Sequence, residues 1–272
     1  MTFIGPPCVM TIAGSDSGGG AGIQADLKTF AAFGVYGTSV LTAVTAQNTK
    51  EVNSVATIPV DVISSQFDTV ISDIRVDVVK TGMLSSSPIV EMVAKKLKSS
   101  SIGFIVVDPV MVAASGARLL VDEAVEIMRR ELIPLATVVT PNVPEATTLT
   151  GIEIETRDEM EEAARIIHGM GAKNVVIKGG HMKTDDYSVD LLFDGTKFSG
   201  YQAERINTKN IHGTGCTFAS AIASGLSQGY SVNKSVSEAK SYVHKAILDA
   251  FPIGHGSGPL NHFHKWWPKE LE

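Results

Sequence analysis

Hydrophobic and polar positions follow two alternating registers along this chain. Short β-branched runs at residues 8–13, 39–45, 76–80, 104–108, 137–140, 174–178 and 188–193 read as strands. Several are apolar at successive positions, as in a sheet covered by helices on both faces. Between them, residues 23–33, 60–72, 87–97, 121–132, 157–170, 217–227 and 233–250 carry helical periodicity. Gly34 stands where a helix stop is expected, and Asp61 leads into a stripe of Val62, Ile63 and Phe67 that predicts a buried face. The alternation predicts repeated βαβ units, hence an α/β protein with a mostly parallel central sheet. No linker, composition break or internal repeat interrupts it, so residues 1–272 are expected to form one domain. Residues 254–267 are too aromatic for a solvated tail and are expected to pack back on the body.

Composition narrows the function classes. The 272 residues are 44% hydrophobic and 19% charged, with a net charge of −6, so no general basic surface points to nucleic acid. Apolar runs such as 104–107 fall far short of the ~20 residues that span a bilayer. The start of the chain has neither a positive n-region nor a long apolar h-region, so no secretory signal is expected. Two cysteines, Cys8 and Cys216, make neither a disulfide framework nor a zinc spacing, and a reduced, cytoplasmic setting is expected.

In an open parallel sheet, ligands bind beyond the carboxyl ends of the strands, and the unusual residues of this chain fall there. Residues 14–22 hold five glycines in nine positions, which permits close backbone approach to a ligand, with the N–H groups of a helix start beside it. Gly20-x-Gly22-x-x-Ala25 superficially fits a dinucleotide fingerprint, yet the acid needed for the ribose is missing between Asp26 and Glu51. No P-loop motif occurs. The stretch His212-Gly213-Thr214-Gly215-Cys216-Thr217 before a small-residue helix predicts a nest of backbone N–H groups at the positive end of a helix dipole, suited to a transferring phosphoryl group. Cys216 stands where a helix N-terminus is expected to lower a thiol pKa, although an isolated cysteine is commonly an inert buried residue. His212 reads equally as a phosphate contact or a loop histidine.

Asp108, and Asn142 with Glu145, put oxygen ligands at neighbouring strand ends, a set that suits a hydrated Mg²⁺; alternatively Glu145 is a helix-start acid and Asp108 a loop cap. Lys178 adds a cation able to pair with phosphate. His255, His262 and His264 have no firm metal spacing and are expected in an aromatic terminal cap with Phe263, Trp266 and Trp267. These pieces describe phosphoryl transfer from a nucleotide without a P-loop.

The segments 11–30, 45–49, 80–84, 108–111, 140–142, 178–181, 212–217 and 254–256, in this order, resemble those of the hydroxymethylpyrimidine/phosphomethylpyrimidine kinases, the thiamine-biosynthesis branch of the ribokinase-like superfamily. The resemblance covers essentially the whole chain. It implies a three-layer α/β/α ribokinase-like fold, a homodimer, and MgATP-dependent phosphorylation of 4-amino-5-hydroxymethyl-2-methylpyrimidine to its monophosphate and then to the diphosphate. It further implies a pyrimidine site of Gly14, Asp26, Gln47, Met83, Val110 and Cys216. Asp108 and Glu145 would hold Mg²⁺, Asn142, Lys178 and Thr214 the nucleotide phosphates, and Gly213, Thr214, Gly215, Cys216 and Lys178 the transferring group. An aminopyrimidine suits these types: Asp26 can accept from an exocyclic amine, Gln47 can donate and accept in the ring plane, and Met83 and Val110 are apolar. Sugar kinases of this fold end the anion-hole motif in aspartate where this chain has Cys216, which leaves the base open. A proton relay through Cys216 is one expectation. Pyridoxal kinases of the same branch share the Gly-Thr-Gly-Cys motif, and Gln47 is the expected discriminator. A non-catalytic sensor of the same fold is the rival from another class, and the full set of site residues argues against it. Residues 14–22 and 82–87 are the expected lid segments.

Overall fold

A computed structural model of the chain describes residues 5–111, 122–182 and 186–267. Among these, nine strands form one sheet in the order β3-β2-β1-β4-β5-β6-β7-β8-β9. The centre is parallel: β1 (Cys8–Asp16) lies between β2 (Tyr36–Gln47) and β4 (Val78–Thr81), followed by β5 (Phe104–Val107), β6 (Val138–Val139) and β7 (Val175–Ile177). The edges are antiparallel, with β3 (Val52–Thr57) on β2, β8 (Tyr187–Phe193) on β7, and β9 (Phe198–Glu204) on β8.

One face of the sheet is covered by α1 (Gly22–Ala32), α7 (Thr214–Ser227) and α8 (Val232–Leu248) around Phe30, Val106, Phe218, Ile222 and Val243. The other is covered by α2 (Val60–Asp73), α3 (Ser87–Ser99), α4 (Asp122–Ile127), α5 (Val143–Thr150) and α6 (Arg157–Gly169) around Ile63, Phe67, Val93, Leu149 and Ile167. This is the three-layer α/β/α arrangement that the family resemblance implies, built on the mostly parallel sheet that the strand and helix periodicities predict. Gly34 takes the left-handed conformation (φ 71°) that ends α1. Ile63 and Phe67 form the buried stripe of α2, whereas Val62 is exposed.

Three elements were not anticipated. β3 and β9 are edge strands with largely exposed side chains, so neither carries an apolar face for periodicity to detect. α5 spans only eight residues, and its sequence VPEATTLT has more capping than hydrophobic signal. Asn142 and Glu145 close it with a reciprocal capping box. Boundaries also move: β1 runs on to Asp16, α7 starts at Thr214, which brings Cys216 into its first turn, and β2 spans Tyr36–Gln47. The helix expected over 121–132 is α4 followed by a π-helical turn, Met128–Leu132, with residue 121 outside the described residues.

The sheet order reverses direction between β1 and β4, so the loops leaving these two strands run to opposite faces and open a crevice above the strand ends.

Candidate active site

A cavity of about 1020 Å³ occupies that crevice. Gly14, Gln47, Met83, Val110, Asp108, Asn142, Glu145, Lys178, Gly213, Thr214, Gly215 and Cys216 all line it, although they come from six different strand ends and one helix start. Of the residues expected in the site, Asp26 alone is absent from its wall.

The apolar end is built across the switch point. The Met83 methyl occupies the space that a Cβ on Gly14 would need, so the absence of a side chain at Gly14 is what lets Met83 lie against β1. Gln47 ends β2, with its amide nitrogen 3.3 Å from His212 Nε2 and its Oε1 3.2 Å from Thr45 Oγ1.

Asp26 lies beneath this floor and corrects the expectation that it receives a ring amine. Its carboxylate accepts from Lys80 Nζ at 2.9 and 3.0 Å, from Thr11 Oγ1 at 2.6 Å and from Ser220 Oγ at 2.7 Å, and its side chain is fully enclosed. With four such bonds and no exposure, no acceptor is left to face a ligand.

The glycine-rich loop also differs from expectation. The N–H groups of Gly18, Gly20 and Ala21 donate to the Asp16 carboxylate at 2.8, 3.0 and 2.8 Å, so the chain supplies its own anion for them. Burial raises the Asp16 pKa, but the His212 bond and these amides outweigh it and hold the carboxyl below its ordinary range. These bonds tie the loop to Asp16 in this structure. Sequence reading missed Asp16; an aspartate two residues before a glycine is an Asx-turn signal that could have marked it.

The anion-hole segment starts α7 with Gly213 at φ 84°, and a Cβ there would collide with the Gly20 carbonyl. The first-turn N–H groups of Gly215 and Cys216 have no intrahelical acceptor, which leaves them for an anion. Beside them, Lys178 Nζ donates to Asp108 Oδ1 at 2.9 Å and stands 3.9 Å from Glu145 Oε2. Burial works against the Lys178 charge, but Asp108 and Glu145 outweigh it and raise its pKa. Burial, set against the pull of Lys178, pushes the Glu145 carboxyl up to about 7. Burial also pushes the Cys216 thiol up to about 11, with Lys80 opposing and the Asp26 and Asp108 carboxylates adding to the rise. The expected lowering by the helix dipole is overridden, and Cys216 is a thiol at neutral pH.

A Mg²⁺ ion fits this corner. Two oxygen donors, Asp108 and Glu145, face one wall beside the phosphate donors, and among the described residues no third ligating side chain joins them to make a closed cage. Mg²⁺ characteristically takes one or two carboxylates and completes its shell with water and phosphate.

The far end of the cavity had no sequence signal. Ile206 and Thr208, just beyond β9, and Val243 and Ile247 of α8 line it. Lys240 closes its side by pairing with Asp190 at 3.0 Å, and Asp190 in turn accepts from Gly179 N at 3.0 Å, which braces the turn after Lys178. The terminal segment packs back as expected: His212 N donates to the Gly258 carbonyl, and His262 Nε2 lies 2.9 Å from Thr217 Oγ1. Trp266 and Trp267 nevertheless remain more than half exposed.

The phosphomethylpyrimidine kinase family matches residues 16–261, a span that takes in every one of these strand ends except the first turn of the glycine loop. The chain belongs to this family. Among the relatives of this phosphomethylpyrimidine kinase family member, a thiamine biosynthesis bifunctional protein of Geobacter sulfurreducens is 54% identical over 93% of the chain, which spans 52% of that longer protein. The hydroxymethylpyrimidine/phosphomethylpyrimidine kinase of Bacillus subtilis is 48% identical over 93% of this chain and 94% of its own length. Of solved structures, the pyridoxal kinase from Staphylococcus aureus in complex with AMP-PCP and pyridoxal superimposes with a TM-score of 0.89 at 37% identity, covering 96% of this chain and 95% of that one. The family member therefore has the ribokinase-like fold.

Proposed function

We propose that this kinase transfers the γ-phosphoryl group of ATP to the hydroxymethyl oxygen of 4-amino-5-hydroxymethyl-2-methylpyrimidine, and then a second one to the phosphate of the monophosphate, in thiamine diphosphate biosynthesis. The observation that carries the reading is a single continuous cavity with the start of α7 between two unlike ends. A small heterocycle fits against Gly14, Gln47, Met83 and Val110, and a nucleotide base fits the end lined by Ile206, Thr208, Val243 and Ile247.

In this reading the N–H groups of Gly215 and Cys216 and the Lys178 ammonium stabilise charge on the transferring group, and Asn142 and Thr214 hold the nucleotide phosphates. Asp108 and Glu145 hold Mg²⁺, which when bound neutralises developing phosphate charge. Lys178 then exchanges its Asp108 partner for phosphate oxygen. Cys216, as a thiol, donates a hydrogen bond or relays a proton rather than acting as a resident thiolate base. A loose transition state needs little deprotonation of the alcohol before transfer.

The enzyme works in the reducing cytoplasm, with both cysteines free, and among the described residues no helix is long and apolar enough to cross a membrane. It assembles as a homodimer through the β2–β3 hairpin, whose edge strand leaves Val55 44% exposed. A Val55→Asp protein should then elute as monomer in light-scattering chromatography.

A second reading is pyridoxal phosphorylation in the same cavity, favoured by the likeness to the pyridoxal-bound kinase. ADP release with MgATP, comparing the pyrimidine, its monophosphate and pyridoxal, separates the two. Faster turnover of both pyrimidines supports the first reading, and faster turnover of pyridoxal replaces it with the second.

A further inference from the structure

His212 Nε2 lies 2.8 Å from Asp16 Oδ2, and the same nitrogen lies 3.3 Å from the side-chain amide of Gln47. The Asp16 carboxylate already collects three loop amides and can only accept. Nε2 therefore carries a proton and gives it to Asp16. A protonated ring nitrogen cannot accept from an NH2 group, so an amide turned with its nitrogen towards His212 sets donor against donor.

The two ends of an amide have nearly the same shape, and the surrounding hydrogen bonds decide between them. Turning the Gln47 amide over resolves the conflict at both ends. Its carbonyl then accepts from His212 Nε2–H, shared with Asp16. Its NH2 then donates to Thr45 Oγ1, 3.2 Å away, while the Thr45 hydroxyl donates to the Ser15 carbonyl at 3.0 Å. In this arrangement the donor–acceptor conflict is removed at both ends of the amide.

We infer that Asp16, acting through His212, is the positioning residue that fixes which way round Gln47 presents its amide to the substrate. The second N–H and the second carbonyl lone pair of Gln47 are then left for the cavity, side by side in one plane. That pair matches a heterocycle edge with a ring-nitrogen acceptor next to an amino donor, as in a 4-aminopyrimidine, and mismatches a phenolic pyridine edge. The backbone holds this relay rigidly. His212 Cδ2 fills the space of a Cβ on Gly20, and its amide is bonded to the Gly258 carbonyl. The glycine loop and the anion-hole loop therefore meet on the imidazole. Specificity is then set by a carboxylate acting through the imidazole that it holds.

The inference rests on Gln47 reading the pyrimidine, and its test separates the two ideas. In the ligand-free protein, long-range ¹H–¹⁵N spectra of His212 should show the Nε2–H form. A neutral Nδ1–H ring would overturn the relay whatever the substrate proves to be.

Kinetics supply the second arm. Because Asp16→Asn also weakens the loop amides, the comparison is a double-mutant cycle with Gln47→Ala, alongside His212→Phe. Asp16→Asn and His212→Phe should each lower the preference for pyrimidine over pyridoxal by about tenfold, the scale of one hydrogen bond. KM for ATP should stay within about twofold, since no nucleotide contact changes. In the Gln47→Ala background the Asp16→Asn effect on preference should vanish. Full additivity, or a loss shared equally by both substrates and ATP, would make Asp16 a loop-stabilising residue only. A wild-type enzyme inactive on pyrimidines would sink the function while the ring-proton result still decided the relay.

Discussion

Lys80 Nζ sits 2.9 and 3.0 Å from the two carboxylate oxygens of Asp26, and neither side chain reaches solvent. The pair joins β4 to α1 directly under the anion-hole helix, with Ser220 of α7 as a further donor. Removing one partner strands a buried charge. Asp26→Asn should therefore cost about 3–5 kcal/mol in urea unfolding. An Asp26→Asn protein of wild-type stability with a raised KM for pyrimidine would return Asp26 to the substrate site.

Gly14→Ala tests the floor of the heterocycle end. The new methyl meets the flexible tip of Met83 rather than backbone, so the fold should survive with a stability loss of about 1 kcal/mol. The displaced Met83 methyl moves into the cavity. KM for the pyrimidine should rise several-fold while KM for ATP holds, as steady-state kinetics on both substrates would register.

Cys216 should be slow to alkylate. With its thiol pushed up to about 11, little thiolate exists at neutral pH, and iodoacetamide reactivity of the ligand-free protein should climb steeply with pH. Cys216→Ser should keep turnover within about tenfold, the scale of a single neutral hydrogen bond. Loss of about 10³-fold or more would instead assign Cys216 an obligatory proton transfer.

The terminal cap should respond to acid. Burial, with Lys28 adding to it, pushes the His262 pKa down to about 4, so the folded state binds fewer protons than the unfolded chain from the ordinary histidine value of about 6.5 downwards. Stability should be complete above that value and fall as pH drops towards 4, by on the order of 2–3 kcal/mol. His262→Gln can still bond Thr217 and should flatten this slope, as urea midpoints across the range would reveal.

Much of this architecture was legible in the sequence because buried strands such as residues 104–107 and glycine-rich strand ends leave marks at fixed spacing. The strand-end rule, the glycine nest before α7 and the family resemblance together named Gly14, Gln47, Met83, Asp108, Glu145, Lys178 and Cys216, and all of them line one cavity. What stayed hidden was whatever depends on a distant partner. Asp26 looks like a ligand until Lys80 is seen to consume it, and Asp16 looks like loop composition until His212 arrives from the far end of the chain. The expected thiol pKa failed for a related reason: a helix dipole is written locally, but burial among Asp26 and Asp108 is not.

Gly20 and Gly213 interlock: a Cβ on Gly213 would strike the Gly20 carbonyl, and one on Gly20 would strike the His212 and Pro259 side chains. One belongs to the first strand crossover and the other to the second-last helix. During synthesis the first half of the sheet can pair as it leaves the ribosome, but the glycine loop has nothing to close against until α7 and the segment around Gly258 have emerged. A nascent or truncated chain can thus acquire native secondary structure without acquiring a reaction centre, so phosphoryl transfer begins only once the segment around Gly258 is in place.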